Sequence, residues 1–365
     1  MTEERTALRE TVRSLLSRHS DSAAVRAAMI LDQGYDKTLW RRLCDDIGVA
    51  GLSVPERFGG VGAGVAETAV VLGELGRTLT PSPLLGSTLA AHAVLATGDD
   101  EAAARLLPAI AEGRVVTLAW TGPDGAWDPE RPACLAERRT VTGSAHYVLD
   151  GDIADTVLVA ARTDDGTGLF EVEPAAVTAV RTLDPTRRLA TVVVDGPGRR
   201  IGGDATAALR QAKDVACVLL AAEQAGAAAR CLELTVAYCA QRVQFGRPIG
   251  SFQALKHRMA DVHVLVETAS AIAEAAAAAP ELAAAARVHC TEAFQTAAAE
   301  MIQLHGGIAI TWDHDAHLFL KRAHGSARLF GPVRAHLAHI QSSSLDQVMS
   351  VSSTPGVDSG ASVTE

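Results

Sequence analysis

An α+β fold with its two element types segregated, helices first, strands in the middle and helices again, is what this sequence predicts. Three observations carry that prediction. Aromatic residues make up only 4% of the chain while hydrophobic residues make up 48%, so the core must be assembled from helix-forming aliphatics such as Ala and Leu. Apolar residues recur at helical spacing before residue 112 and after residue 205. Between them the texture turns to short β-rich runs punctuated by Gly, Pro and Asp. The expected units are an N-terminal helical domain over 1–112, a middle β domain over 113–204 and a C-terminal helical domain over 205–341. A disordered tail is expected over 342–365, where Ser, Thr, Gly and Asp replace the apolar pattern and leave too little surface to bury.

Taken in order, residues 6–18, 39–47 and 65–79 read as amphipathic helices, the last with Glu67 and Glu74 on its polar face. Trp40 stands at helical spacing from Leu43 and reads as a core anchor, while Glu10, Arg13 and Arg18 read as surface charges. Strands follow at 115–120, 141–149, 156–161 and 191–194. The last three helical segments, 209–242, 252–279 and 282–304, are each long enough to cross a domain in one pass.

A formal net charge of -10 leaves no basic stripe to neutralise a phosphate backbone, so nucleic acid is not an expected partner. The six cysteines are scattered and form no C-x-x-C pair, which points to free thiols in a reducing cytoplasm rather than to a disulfide framework or a zinc site. Cys231 and Cys239 read as small core groups. The Ala-rich stretch 268–287 is interrupted by Glu274, Pro280 and Glu281, so no membrane span is expected.

The strongest local signal is Arg242-Val243-Gln244-Phe245-Gly246-Arg247-Pro248, followed by Gln253, where one long helix ends and the next begins. The turn alone needs no ligand, since Gly ends helices and Pro cannot continue them. The residues around it add more: an arginine offers a planar fork to a pyrophosphate, an aromatic offers a face to a ring, and a glutamine offers a paired donor and acceptor. Further on, Gln303-Leu304-His305-Gly306-Gly307 puts two adjacent glycines after a helix, where backbone N–H groups can approach an anion closely.

These two signals in this order, on a helical domain that follows a β domain, resemble the acyl-CoA dehydrogenase family over nearly the whole chain. Gly51-Leu52-Ser53-Val54-Pro55-Glu56 resembles the family's N-terminal turn, and Tyr147-Val148-Leu149-Asp150-Gly151 its middle β domain. The resemblance implies a β-barrel or sandwich between an N-terminal helical domain and a C-terminal four-helix bundle, with FAD as cofactor. It implies that Arg242, Phe245, Gln253, Gln303, Gly306 and Gly307 hold the adenosine and pyrophosphate arm of a flavin seated mainly in a neighbouring subunit. The reaction implied is oxidation of an acyl-CoA to the trans-2-enoyl-CoA, a carboxylate removing the α-proton, with an electron-transferring flavoprotein-type acceptor. No metal is expected.

The sequence departs from that pattern where the base belongs. The family's glutamate after the segment 318–328 is replaced by Phe330, in Arg328-Leu329-Phe330-Gly331, and a phenyl ring cannot take a proton. The alternative place on the long helix falls on Ala216 or Cys217. Glu223, further along that helix, reads as a base, a salt-bridge partner or a packing polar group, so the catalytic residue is left unassigned. Of the segments that cover the flavin ring in the family, Trp120-Thr121-Gly122-Pro123 is partly kept and His146-Tyr147-Val148-Leu149 is not; Thr121 reads equally as a flavin contact and as a strand-end threonine. The resemblance then narrows to certain actinobacterial members, α2β2 assemblies acting on CoA thioesters of steroid side chains, whose C-terminal helix Leu318-Phe319-Leu320-Lys321-Arg322-Ala323 looks like. A homologous subunit carrying the glutamate is the implied partner. His314 and His317 read as a solvated helix start rather than metal ligands, and Lys256, His257 and Arg258 as a wet helix face.

Overall fold

The computed structural model describes residues 2–352. The chain opens with α1 (Glu3–His19), α2 (Ser22–Met29), α3 (Lys37–Ile47), α4 (Val65–Thr78), α5 (Leu84–Ala96) and α6 (Asp100–Ala111). Side chains of Thr2, Asp21, Asp36 and Asp99 cap the starts of α1, α2, α3 and α6 by accepting otherwise unpaired N–H groups. Trp40 is buried, and its indole N–H donates to Gly113 O at 2.8 Å, which ties α3 to the entry of the β domain.

Seven strands follow: β1 (Val116–Ala119), β2 (Cys134–Glu137), β3 (Thr140–Leu149), β4 (Thr156–Thr163), β5 (Gly166–Val172), β6 (Ala176–Val180) and β7 (Leu189–Ile201). The ladder runs β4, β2, β3, β7, β5 and returns to β4, so the sheet closes into a barrel, with β1 laid parallel on β4 and β6 on the first half of β7. The barrel interior is filled mainly by small and branched residues such as Ala145, Val141, Val159 and Val192, with Phe170 among them.

The C-terminal part is α7 (Thr206–Gln241), the hairpin of β8 (Val243–Gln244) and β9 (Arg247–Pro248), then α8 (Gln253–Ala278), α9 (Ala283–His305), α10 (Ala316–Ser326) and α11 (Val333–Ser352). Its bundle is formed by α7, α8, α9 and α10, and α11 packs on α9. By length and composition α7 could cross a bilayer, yet 72% of its apolar window is buried inside the fold. It crosses α4 at glycines: a Cβ on Gly226 would stand 2.0 Å from Gly73 O, so only hydrogen fits there. One core therefore runs from the N-terminal helices along one side of the barrel, at Leu158, Ala160 and Leu169, to the bundle, while the barrel interior forms a core of its own.

The tail expected from 342 is corrected in part: α11 continues to Ser352. Residues 353–365 lie outside the described residues.

Candidate functional site

The end of α7 and the start of α8 are joined by a tight hairpin. The Arg242 N–H donates to Tyr238 O at 2.8 Å, and the Ile249 N–H to Arg242 O at 2.8 Å, so Arg242 is fixed at the base of the turn. Phe245 (φ 53°) and Gly246 (φ 77°) both take the left-handed conformation that a two-residue hairpin with the twist of its strands demands. For phenylalanine that conformation costs roughly 1–2 kcal/mol, and the ring is 90% exposed, against only an edge contact to Phe252 with centroids 6.1 Å apart. The Arg247 guanidinium lies 4.0 Å from the centroid of the Phe252 ring, and Gln253, exposed, opens α8.

The glycine pair lies at the end of α9. Gly306 has φ 67°, and a Cβ on either Gly306 or Gly307 would meet nothing within 4 Å, so their backbone faces open space. Gln303 is exposed one turn earlier. The two halves meet through one stack: the Tyr238 ring lies 4.3 Å from that of His305, 25° from parallel. Arg258 and Glu300 bond at 2.7 and 2.8 Å and fasten α8 to α9. All six residues expected to hold the cofactor arm thus sit, exposed, at one end of the bundle, beside exposed Ile310 and Trp312.

The place of the base looks different. Phe330, also left-handed (φ 58°), is fully buried, edge-on to Trp127 with ring centroids 4.9 Å apart; Trp127 meets Trp120 at 5.7 Å. Buried Arg287 donates to the carbonyls of Ser326 and Leu329 at 3.1 and 2.8 Å, holding the turn that presents Phe330 inward. Ala216 and Cys217 are core residues, and burial pushes the Cys217 thiol up to about 12. Trp127 carries no sequence signal of its own, since the rings it joins come from segments far apart in the chain.

Glu223 is a salt-bridge partner. It is buried and bonded by Arg187 and by Arg322 at 2.9 Å, while Arg322 also lies 2.9 Å from Asp184 Oδ2 and donates to Thr186 O at 2.8 Å. Burial alone would raise its proton affinity, but the two guanidiniums hold the carboxylate below its ordinary range. A base pinned between two arginines is a poor proton acceptor.

The two flavin-covering segments are adjacent: the His146 N–H donates to Thr121 O at 2.7 Å, and the Tyr147 hydroxyl to Pro123 O at 3.2 Å. Thr121 is buried, and its hydroxyl has no partner among the described residues. The solvated helix start expected at His314 and His317 is corrected: His317 is buried edge-on to Trp312 at 4.6 Å, and His314 Nδ1 accepts the Ala316 N–H at 3.1 Å.

Comparison with known proteins agrees with this architecture. Residues 2–114 match the family model "Acyl-CoA dehydrogenase, N-terminal domain" and residues 207–345 "Acyl-CoA dehydrogenase, C-terminal domain". The chain is 48% identical over 347 residues to acyl-CoA dehydrogenase IpdE2 of Mycobacterium tuberculosis (strain ATCC 25618 / H37Rv), covering 93% of this chain and 97% of that one. Its fold superposes on the ChsE4-ChsE5 complex from Mycobacterium tuberculosis with a TM-score of 0.84 at 29% identity, over 98% of this chain and 99% of that one. It does so on the Tcur3481-Tcur3483 steroid ACAD with a TM-score of 0.83 at 29% identity, over 95% and 99%.

Proposed function

The chain belongs to the acyl-CoA dehydrogenase family of FAD-dependent oxidoreductases, and on that premise we propose that it is the half of a heteromer that completes a cofactor site without supplying the base. In this reading the complex is an α2β2 assembly that converts an acyl-CoA thioester to its trans-2-enoyl-CoA. A homologous partner subunit contributes the carboxylate and the contacts to the flavin ring. FAD, when bound, supplies the two-electron redox chemistry, and an electron-transferring flavoprotein-type acceptor takes the electrons onward.

The observation that carries the reading is a contrast within one chain. The outer end of the bundle leaves Phe245 strained, exposed and without a covering partner, beside open glycines and exposed Arg242, Gln253 and Gln303. These residues fit the adenosine and pyrophosphate arm: a guanidinium for phosphate, a ring face for adenine, amides and backbone N–H groups for the remaining oxygens. The inner position is packed shut by Phe330 and Trp127, which do not fit a catalytic centre of this chain's own. The two heteromer neighbours, one of them a steroid ACAD, support CoA thioesters of steroid side chains as substrates. The reading also carries a reducing cytoplasm, in keeping with six buried free thiols.

Native mass and flavin absorbance of the purified chain, alone and with its partner, test it. The chain alone is expected to lack FAD and the complex to hold it. Arg242→Ala is expected to weaken FAD retention by roughly 10- to 150-fold, the value of a lost charge-assisted bond, and Gln303→Ala by about fivefold. A yellow homotetramer, or unchanged FAD content in both variants, overturns it.

A further inference from the structure

His305 is the last residue of α9 and precedes Gly306, yet packing alone does not account for an imidazole there. It is 4% exposed. Its Nδ1 lies 2.8 Å from Met301 O, and because a carbonyl only accepts, that nitrogen carries the proton. Nε2 is then a bare acceptor, buried and without a partner among the described residues. A phenylalanine would fill the same slot with no polar atom to desolvate, and an unsatisfied buried acceptor is costly.

The ring gathers three segments. Tyr238, 4.3 Å away, carries on its own carbonyl the N–H of Arg242, the base of the Phe245 hairpin. His314, 4.5 Å away, belongs to the segment between the glycine turn and α10. Gly306 follows in the chain. Among the described residues no carboxylate contacts the ring: Asp315 is taken up by Arg26 at 2.6 Å and by Ser22 at 2.8 Å, and Arg26 also donates to His314 O. A proton on Nε2 would therefore meet the Tyr238 ring and His314, and would place a charge that no opposite charge among the described residues receives.

We propose that His305, held as the neutral Nδ1–H tautomer, is the positioning residue that locks the Phe245 hairpin to the Gly306–Gly307 turn, so that the cofactor-facing surface is assembled only while this imidazole is uncharged. Burial, the main influence, together with the nearby His314, holds its proton affinity below that of a free imidazole, so the neutral form prevails at neutral pH. The inference rests on the half-site reading above, and its test separates the two.

FAD dissociation constants of the complex are measured between about pH 5 and pH 8 for wild type, His305→Ala, His305→Phe and Arg242→Ala. Wild-type affinity is expected to fall as the pH drops through the His305 titration, by up to about tenfold per pH unit below it. His305→Phe keeps the ring contacts and cannot be charged, so it is expected to hold FAD within about threefold of wild type at neutral pH and to lose the acid dependence. His305→Ala is expected to bind roughly tenfold more weakly throughout. A wild-type profile flat to about pH 5, an acid dependence that survives in His305→Phe, or wild-type affinity in His305→Ala overturns the proposal. Unchanged affinity in Arg242→Ala overturns the half-site reading instead. Hydrogen exchange of the full chain without FAD checks the lock on its own: His305→Ala speeds exchange at Ile249 and at residues 306–308, and unaltered protection there refutes it.

Discussion

The assignment of Glu223 to structure rather than chemistry makes a quantitative prediction. Arg322 would keep Asp184 and Thr186 if Glu223 were truncated, but Arg187 would lose its carboxylate while its side chain stays 10% exposed. Removing one member of a buried ion pair strands the other, at about 3–5 kcal/mol. A chain of 365 residues at about 2.1 cal/mol/K per residue has an unfolding entropy near 0.77 kcal/mol/K, so Glu223→Ala is expected to lower Tm by roughly 4–6.5 °C. Glu223→Gln keeps an acceptor for both guanidiniums and is expected to lose about half as much. Because the folded carboxylate titrates below its ordinary value, its contribution is present above that value and lost as the pH falls through the folded one. The Tm gap between wild type and Glu223→Ala should therefore narrow on acidification below the ordinary glutamate range. Differential scanning calorimetry of the complex at matched concentration measures the shift, and turnover by the surviving folded fraction should match wild type. A Glu223→Gln complex with unchanged Tm and abolished turnover would refute the reasoning and make Glu223 the base.

Two further outcomes follow from the same packing. Trp127→Ala removes the ring between Trp120 and Phe330 and is expected to destabilise the complex by about 3–5 kcal/mol while leaving its FAD content intact; loss of flavin without loss of stability, read by absorbance and calorimetry together, would count against the packed-shut centre. Asp150 lines a cavity of about 30 Å³ with Tyr35, Arg187, Arg188, Glu223 and Arg322. Arg187, Arg188 and Arg322 already face Glu223, Asp152 and Asp184, so Asp150 is the odd carboxyl, and burial chiefly raises it from 3.8 to about 7. The folded state holds its proton over that window and the unfolded chain does not, so wild-type stability falls as pH rises from about 4 to 7. Asp150→Asn should match wild type at about pH 4 and exceed it at pH 8 by at most about 4 kcal/mol; a variant less stable than wild type at pH 8 would show that the carboxylate is wanted ionised.

How legible this was depended on whether a residue's partners lay close in sequence. The long bundle helices α7, α8 and α9 were readable because periodicity is local, and so was the departure at Phe330, which stands where the family pattern has a glutamate. The largely buried α5 was missed because buried residues surround its axis and its few polar groups, Ser87, Thr88 and His92, form no face that sets a period. The exposed edge strand β6 was missed because none of its residues is buried. Glu223 stayed ambiguous because Arg187 follows β6 and Arg322 lies on α10, two elements that no pattern along α7 can bring to it. Trp127 and the lone acceptor of His305 were invisible for the same reason.

The filled centre and the open bundle end also belong together physically. A dehydrogenase cleft is a cavity held open for a ligand, and once the carboxylate is gone an unfilled apolar space of that kind only subtracts stability, by the lost contacts of its walls. Closing it with Trp120, Trp127 and Phe330 restores those contacts and adds two edge-to-face pairs worth about 0.5–1.5 kcal/mol each, which offsets part of the cost of holding Trp127 and Phe330 at positive φ. The bundle end is under the opposite constraint: the β8–β9 hairpin holds Phe245 in its left-handed conformation, yet the ring stays exposed with only an edge contact to Phe252. Under the half-site reading proposed above, the open bundle end is the site completed from outside, and the contrast between a filled centre and an open end supports that reading alongside the missing glutamate.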